Sequence, residues 1–222
     1  MYIMNERSFI ISQHMSPAKS TADKREAIFC ATLKLLSNYG FHGFSIKQLA
    51  EEAGVATGTI YLYFKDRDEL IRELNTHIID DFIKATLEGH DQQQPLKQQY
   101  RRMCCNLWRF CIENPCITHS KAQFDHLPPD ILRSQRSHAW DALQPLKDLF
   151  EKGRATQQIK NLSDDILISL SFEPYLFLAR QHLIDVIKVD NDALTNIIDA
   201  SWDAIACSPS QNDDTDGQDN QE

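Results

Sequence analysis

The chain has 222 residues, 42% of them hydrophobic, and 23 Lys and Arg stand against 32 Asp and Glu for a formal net charge of −9. That length and apolar content allow one large domain or two modest ones with a real core. No apolar run approaches the ~20 residues needed to span a bilayer, and the apolar stretch in MYIMNERSFIISQHM is too short for a secretion signal. Only 7 Gly and 8 Pro are present; with Leu, Ile and Ala abundant and strand-like alternation absent, the expected fold is all-α and the expected location the cytoplasm.

Residues 1–20 have no helical period beyond Phe9-Ile10-Ile11 and read as a flexible N-terminal arm. Met15 is an alternative start, and Lys19 is the arm's residue for a minor groove, set against the plainer reading of a disordered end. From Thr21 or Ala22, the positions Ile28, Ala31, Leu35, Leu36 and Tyr39 recur three and four apart, which predicts one amphipathic helix stopped by Gly40. Phe41, Gly43 and Phe44 form the turn that follows.

Ser45 with Gln48 three residues on has the form of a capping box, and Ile46, Leu49, Ala50 and Ala53 continue at helical spacing. Gly54 supplies a left-handed stop, Val55 plugs the corner, and a second short helix spans about Thr57 to Phe64 with Ile60 and Phe64 inward. The hydroxyls of Thr57, Thr59, Tyr61 and Tyr63 point elsewhere, as suits a major groove better than a core. Asp66 with Glu69 makes another capping box and starts a third helix, flanked by Lys65 and Arg67, which are placed to reach phosphates. The stretch reads as a helix-turn-helix.

The run GVATGTIYLYFKDRDEL, with the helix before it, resembles the TetR/AcrR family of bacterial transcriptional regulators over about Asp23 to Leu74. The resemblance implies a three-helix DNA-binding unit, a larger helical effector-binding and dimerisation domain, and usually repression. It places Thr57, Gly58, Thr59, Tyr61 and Tyr63 toward DNA and Lys65 on the backbone; Ser45, Gln48 and Arg67 complete the expected DNA-binding set. Ala56 departs from the pattern, standing where many members have a Ser or Thr cap worth ~1 kcal/mol. Thr57 or a bound phosphate is expected to take part of that role.

The charge is distributed in keeping with this. Residues 16–75 hold eight Lys and Arg against eight Asp and Glu, whereas residues 76–222 hold fourteen against twenty-three. The acidic excess lies outside the DNA-reading region, where it disfavours wrong orientations on DNA.

The third helix runs on through Leu70, Ile71, Leu74, Ile78, Phe82 and Leu87 to Gly89, a lever from the reader to the next domain. Gly89 to Pro95 is the linker. Helices then follow over about Leu96–Glu113, from Pro115 onward, over Asp130–Lys152 with a kink at Pro145 and Gly153 as its end, over Ser163–Lys188 with a bend at Pro174, and from Asp190 or Asn191 through Ile205. The last two are apolar over more than one face, and the resemblance implies that they form a four-helix bundle with a second copy. The expected domains are the arm at 1–20, the helix-turn-helix domain with its connecting helix at 21–88, the effector-binding and dimerisation domain at 95–207, and a disordered acidic tail at 208–222.

The middle helices carry Met103, Trp108, Phe110, Phe124, Trp140, Phe150, Phe172, Tyr175 and Phe177. Aromatics at helical spacing chiefly pack interiors. The resemblance implies that some line a pocket for an apolar or amphipathic effector, with Met103, Trp108, Phe124, Trp140, Phe172, Tyr175 and His119 the expected set and Arg109, Gln123 or Asp125 as further polar anchors. Four of the six cysteines, Cys104, Cys105, Cys111 and Cys116, fall close together, but no CxxC pair occurs and no ligand spacing with His119 or His126 matches a standard metal site. No metal or cofactor is expected; a thiol- or metal-responsive regulator of the same fold is the alternative. Absence of G-x-S-x-G, HExxH, phosphate-loop and dinucleotide motifs leaves catalysis without support. A helical interaction protein whose helix-turn-helix only packs is the other rival. The leading expectation is a homodimeric repressor on a palindromic operator, released by a small effector.

Overall fold

The computed structural model describes residues 21–41 and 43–207, so the expected arm, Lys19, the alternative start and the acidic tail lie outside the described residues. Helix α1 is Thr21–Tyr39, closed by Gly40 in the left-handed region. Helix α2, Ile46–Ala53, opens on the expected capping box: the Gln48 amide donates to Ser45 Oγ at 3.2 Å and the Ser45 amide to Gln48 Oε1 at 2.8 Å. Gly54, at φ 64°, ends it, and the Val55 amide returns to the Ala50 carbonyl at 3.0 Å. A residue with a Cβ pays strain at that φ, so glycine sets the sharp turn into α3, Thr57–Tyr63. Phe64, already extended, ends α3 one residue earlier than the periodicity suggests.

Helix α4, Arg67–Thr86, starts where Asp66 Oδ1 accepts the Glu69 amide at 2.8 Å, while the Glu69 carboxylate takes the Lys65 amide one residue before the cap. At 20 residues it is about 30 Å long. Its first half is buried in a core of Ile28, Phe29, Leu36, Leu49, Ile60, Phe64, Leu70 and Leu74. Further along, Phe82 packs against both that core and a second one built on Tyr100, Met103, Leu107, Phe150, Leu167, Tyr175, Ile198 and Trp202.

The second unit is α5 Leu96–Glu113, α6 Pro115–Phe124, α7 Pro129–Ala142, α8 Gln144–Ala155, α9 Asp164–Ser171, α10 Glu173–Leu183 and α11 Asn191–Ile205. Two long helices expected from the periodicity are each two. The break at Leu143 puts Pro145 in the first turn of α8, and the break at Phe172 puts Pro174 in the first turn of α10. A proline there forfeits no intrahelical bond, whereas inside a helix its ring strikes the carbonyl four residues back. Gly153 does not end α8: it lies within it, buried, where an added Cβ would sit 2.4 Å from Ile159 Cδ1. Helix α10 ends at Leu183 rather than near Lys188, and Asp185 turns the chain at φ 61°. One isolated bridge, Ile159 to Ala206, pins the end of α11 beside the loop before α9.

Candidate DNA-reading face and effector cavity

Along α3, Ile60 and Phe64 are fully buried, Phe64 packing on Phe29 at 5.6 Å between ring centroids, which fixes the helix on α1. The opposite face is left to solvent. Thr57 and Gly58 are exposed, Tyr61 is 56% exposed, and Thr59 and Tyr63 are half-buried. Nothing lies within 4 Å of where a Gly58 Cβ would be, so this glycine leaves an open surface rather than relieving an internal contact. Lys65 is exposed beside this face, as are Ser45 and Gln48, whose side chains are already joined in the α2 cap.

Arg67 differs from the rest of the expected set. Its guanidinium turns inward, donating to the Phe44 carbonyl at 2.9 Å and to the Phe41 carbonyl, and lies 4.2 Å from the Phe44 ring centroid. Burial pulls its pKa down. It ties the α1–α2 turn to the start of α4. Arg25 is likewise engaged, with Glu73 at 2.6 Å. Leu62, outside the set expected from the sequence, is 84% exposed on α3. Its signal was position: two residues from each of the buried Ile60 and Phe64, it stands across the helix from them. An exposed leucine there matches the methyl group of thymine in a major groove.

Behind this unit is a cavity of about 350 Å³ walled by α4, α5, α6, α7, α8, α9 and α10. Its lining is chiefly apolar, from Ile78 and Phe82 on α4 through Phe110, Phe124 and Trp140 to Ile168 and Phe172. Asn75 and Gln135 join across it, Asn75 Nδ2 donating to Gln135 Oε1 at 2.6 Å and Gln135 Nε2 to the Arg72 carbonyl at 3.2 Å, which ties α7 to α4. Phe124 has a second neighbour: Phe41 of the reader packs edge-on against it at 5.9 Å.

Models of two families match the sequence, "Bacterial regulatory proteins, tetR family" over residues 28–74 and "Tetracyclin repressor-like, C-terminal domain" over residues 95–206. An uncharacterized HTH-type transcriptional regulator of Haemophilus influenzae is 34% identical over 190 residues, covering 84% of this chain and 98% of that protein. The chain belongs to the TetR family of transcriptional regulators.

Its fold agrees with that of a TetR-family regulator from Vibrio parahaemolyticus, with a TM-score of 0.74 and 34% identity over 83% of this chain and all of the other. The FadR regulator of Bacillus subtilis, solved in complex with stearoyl-CoA, has the same fold at a TM-score of 0.67 and 18% identity, over 81% of this chain and 98% of FadR. The family and these relatives are transcriptional regulators, not enzymes. No helix of the described residues is long and apolar enough to cross a membrane.

In this TetR-family chain the expected effector residues divide. Phe124, Trp140 and Phe172 line the cavity. Met103 and Tyr175 belong to the second core instead, both fully buried, with the Tyr175 hydroxyl against Ser201 Oγ at 2.7 Å. Trp108 packs beside His182 at 5.7 Å, and His119 stands on α6 outside the wall, its Nε2 buried without a partner. Of the further anchors, Asp125 reaches the rim while Arg109 pairs with Glu88. The contribution of α4 was missed. Asn75, Ile78, Phe82 and Thr86 recur three and four apart on one stripe of α4, and the two polar members in an apolar stripe were the readable signal. Burial pushes the Cys30, Cys104 and Cys111 thiols up to about 12, so all three stay protonated at neutral pH. Among the described residues no group of three or more His, Cys, Asp or Glu is placed to hold a metal.

Proposed function

We propose that this regulator is a cytoplasmic homodimeric repressor that binds a palindromic operator through Thr57, Gly58, Thr59, Tyr61, Leu62 and Lys65 on each protomer and is released by a small apolar or amphipathic effector. The observation that carries the reading is the placement of α4: its first half is packed into the core that holds α3, and its second half forms one wall of the cavity. A ligand that fits the cavity only when α4 is tilted binds one conformer better than the other. Differential affinity of that kind is what shifts the population away from the DNA-competent spacing. In a dimer, the two copies of α3 enter successive major grooves about 34 Å apart.

The exposed apolar side chains of the second unit support dimerisation through α9 and α10, with Ile166 and Leu170 on α9, Phe177 on α10, and Ile184 and Val186 just after it, whereas α11 exposes no large apolar side chain. A stripe of that kind is what a helix-bundle interface buries. The domain division read from the sequence, with a reader over 21–88 and an effector and dimerisation unit over 95–207, is part of this proposal; two cores support it, and Phe110, Ile117 and Phe124 of the second unit pack into the first of them. That the FadR regulator of Bacillus subtilis, a protein of the same fold, was solved with stearoyl-CoA supports an effector with a long apolar part.

The test is selection of duplexes by the purified protein from sheared genomic DNA of its source at about 0.15 M salt, where nonspecific contacts are weakened. Recovery of one palindromic sequence, bound by two copies, is the expected result. Tyr61→Ala abolishes specific binding, and Lys65→Ala lowers the slope of log affinity against log salt by about 1. A protein that stays monomeric on DNA, or that recovers no common sequence after removal of small molecules by unfolding and refolding, overturns the reading.

A further inference from the structure

We propose that the effector is a lipophilic cation: an organic ammonium or related positive group on an apolar body. This rests on the reading that the cavity is the effector site.

The rim carries five charged side chains, Lys121, Asp125, Arg136, Asp165 and Glu173. Both cations are spent within the rim itself. Lys121 Nζ lies 2.7 Å from Asp125 Oδ1, and Arg136 pairs with Asp165, bridging α7 to α9. Glu173 is left, with no ion pair or hydrogen bond among the described residues, so the unbalanced charge at the opening is a single carboxylate. An anionic head group would compete with Asp125 and Asp165 for these exposed cations and then sit beside Glu173. A cation is drawn in by Glu173 and disturbs neither pair.

The interior suits the same ligand. Phe82, Phe110, Phe124 and Phe172 give it aromatic walls, and the negative faces of aromatic rings attract a positive group that has lost its water; the Trp140 ring already has Lys147 Nζ 5.3 Å from its centroid. A second observation marks the cavity as a binding site rather than a packing void. Thr86 is 3% exposed and lines it, yet its hydroxyl has no hydrogen-bond partner, although a threonine on a helix can usually turn to the carbonyl four residues back. A hydroxyl left free inside an apolar wall serves a polar atom of an incoming molecule. The volume of about 350 Å³ stands at the lower end of the ~300–1,000 Å³ range of ligand pockets, which suits a compact amphiphile.

The experiment is isothermal titration of the full chain with three probes of one chain length, decylammonium, decanol and decanoate, repeated on Glu173→Gln. The expected order is cation, then alcohol, then carboxylate, with the cation about tenfold tighter than the carboxylate. Glu173→Gln narrows that gap by about threefold and leaves decanol unchanged. Thermal melting of the variant without probe checks that it is folded. If decanoate binds as tightly as the cation or more so, the cation proposal fails while the cavity stands as an effector site. If all three bind alike and Glu173→Gln changes none, it fails in the same way. If none binds, the effector-site reading fails and takes this proposal with it.

Discussion

The DNA-reading unit and the unit behind it bury polar groups differently. In the reader, the buried Thr32 hydroxyl donates to the Ile28 carbonyl at 2.7 Å, and Asn75, at its far edge, is held by Gln135. The buried side-chain polar atoms without a partner among the described residues begin at the far end of α4, on Thr86, and continue past it on His90, His119 and Ser120. The apolar cavity, too, is walled mainly by the second unit, with α4 supplying the wall from residues 21–88. A part that must present one fixed surface is closed and satisfied. On the proposed function, the part that accepts a molecule keeps space and hydrogen-bonding capacity in reserve, and that reserve costs stability.

Four substitutions probe this contrast, the largest effect first. Leu49 is fully buried in the closed core of the reader, so Leu49→Ala lowers the unfolding free energy by about 3 kcal/mol, measured by urea denaturation. A loss under about 1 kcal/mol would show that the reader is as loosely packed as the cavity and break the comparison. Gly153→Ala comes next. Its Cβ meets Ile159 at Cδ1, Cγ1 and Cβ, all within 2.9 Å, so no rotamer change clears it and the cost is about 2 kcal/mol by the same measurement.

Ser45→Ala removes the side-chain half of the α2 cap and lowers stability by about 1 kcal/mol, with faster amide exchange confined to the first turn of α2. The smallest and most telling change has the opposite sign. Thr86→Val keeps the shape and removes the unpaired hydroxyl, raising stability by roughly 0.5–1 kcal/mol, read as a higher Tm. Were Thr86→Val to destabilise the protein instead, the hydroxyl would be satisfied in solution and the notion of a held reserve would not stand.

The two units also differed in how plainly the sequence announced them. From Ser45 to Glu69 three boundaries have a local chemical cause, a hydroxyl cap, a left-handed glycine and an aspartate cap, while α3 starts at Ala56 without a side-chain cap. These interactions span three or four residues, so spacing alone reveals them. In the second unit the signals were prolines within long apolar runs, and periodicity cannot tell a kink from a fresh start. At Pro145 and Pro174 the chain starts afresh. The same limit applies to the site residues. Phe124, Trp140 and Phe172 reach the cavity while Met103 and Tyr175, of similar character and spacing, fill the core between α5, α10 and α11.

The sequence by itself determined the helix-turn-helix, the outward face of α3, the all-helical class and the membership in a family of regulators, because caps, turns and amphipathic periods are local and a long motif is specific. Only the tertiary structure decided that Arg67 braces the turn before α2, that the second half of α4 is a wall of the cavity, and that Glu173 alone at the rim lacks an opposite charge. Those facts depend on which residues from helices far apart in the chain come to face one another, and a helix whose apolar stripe is wide enough to be buried on two sides does not state in its own sequence which side meets a core and which meets an empty space.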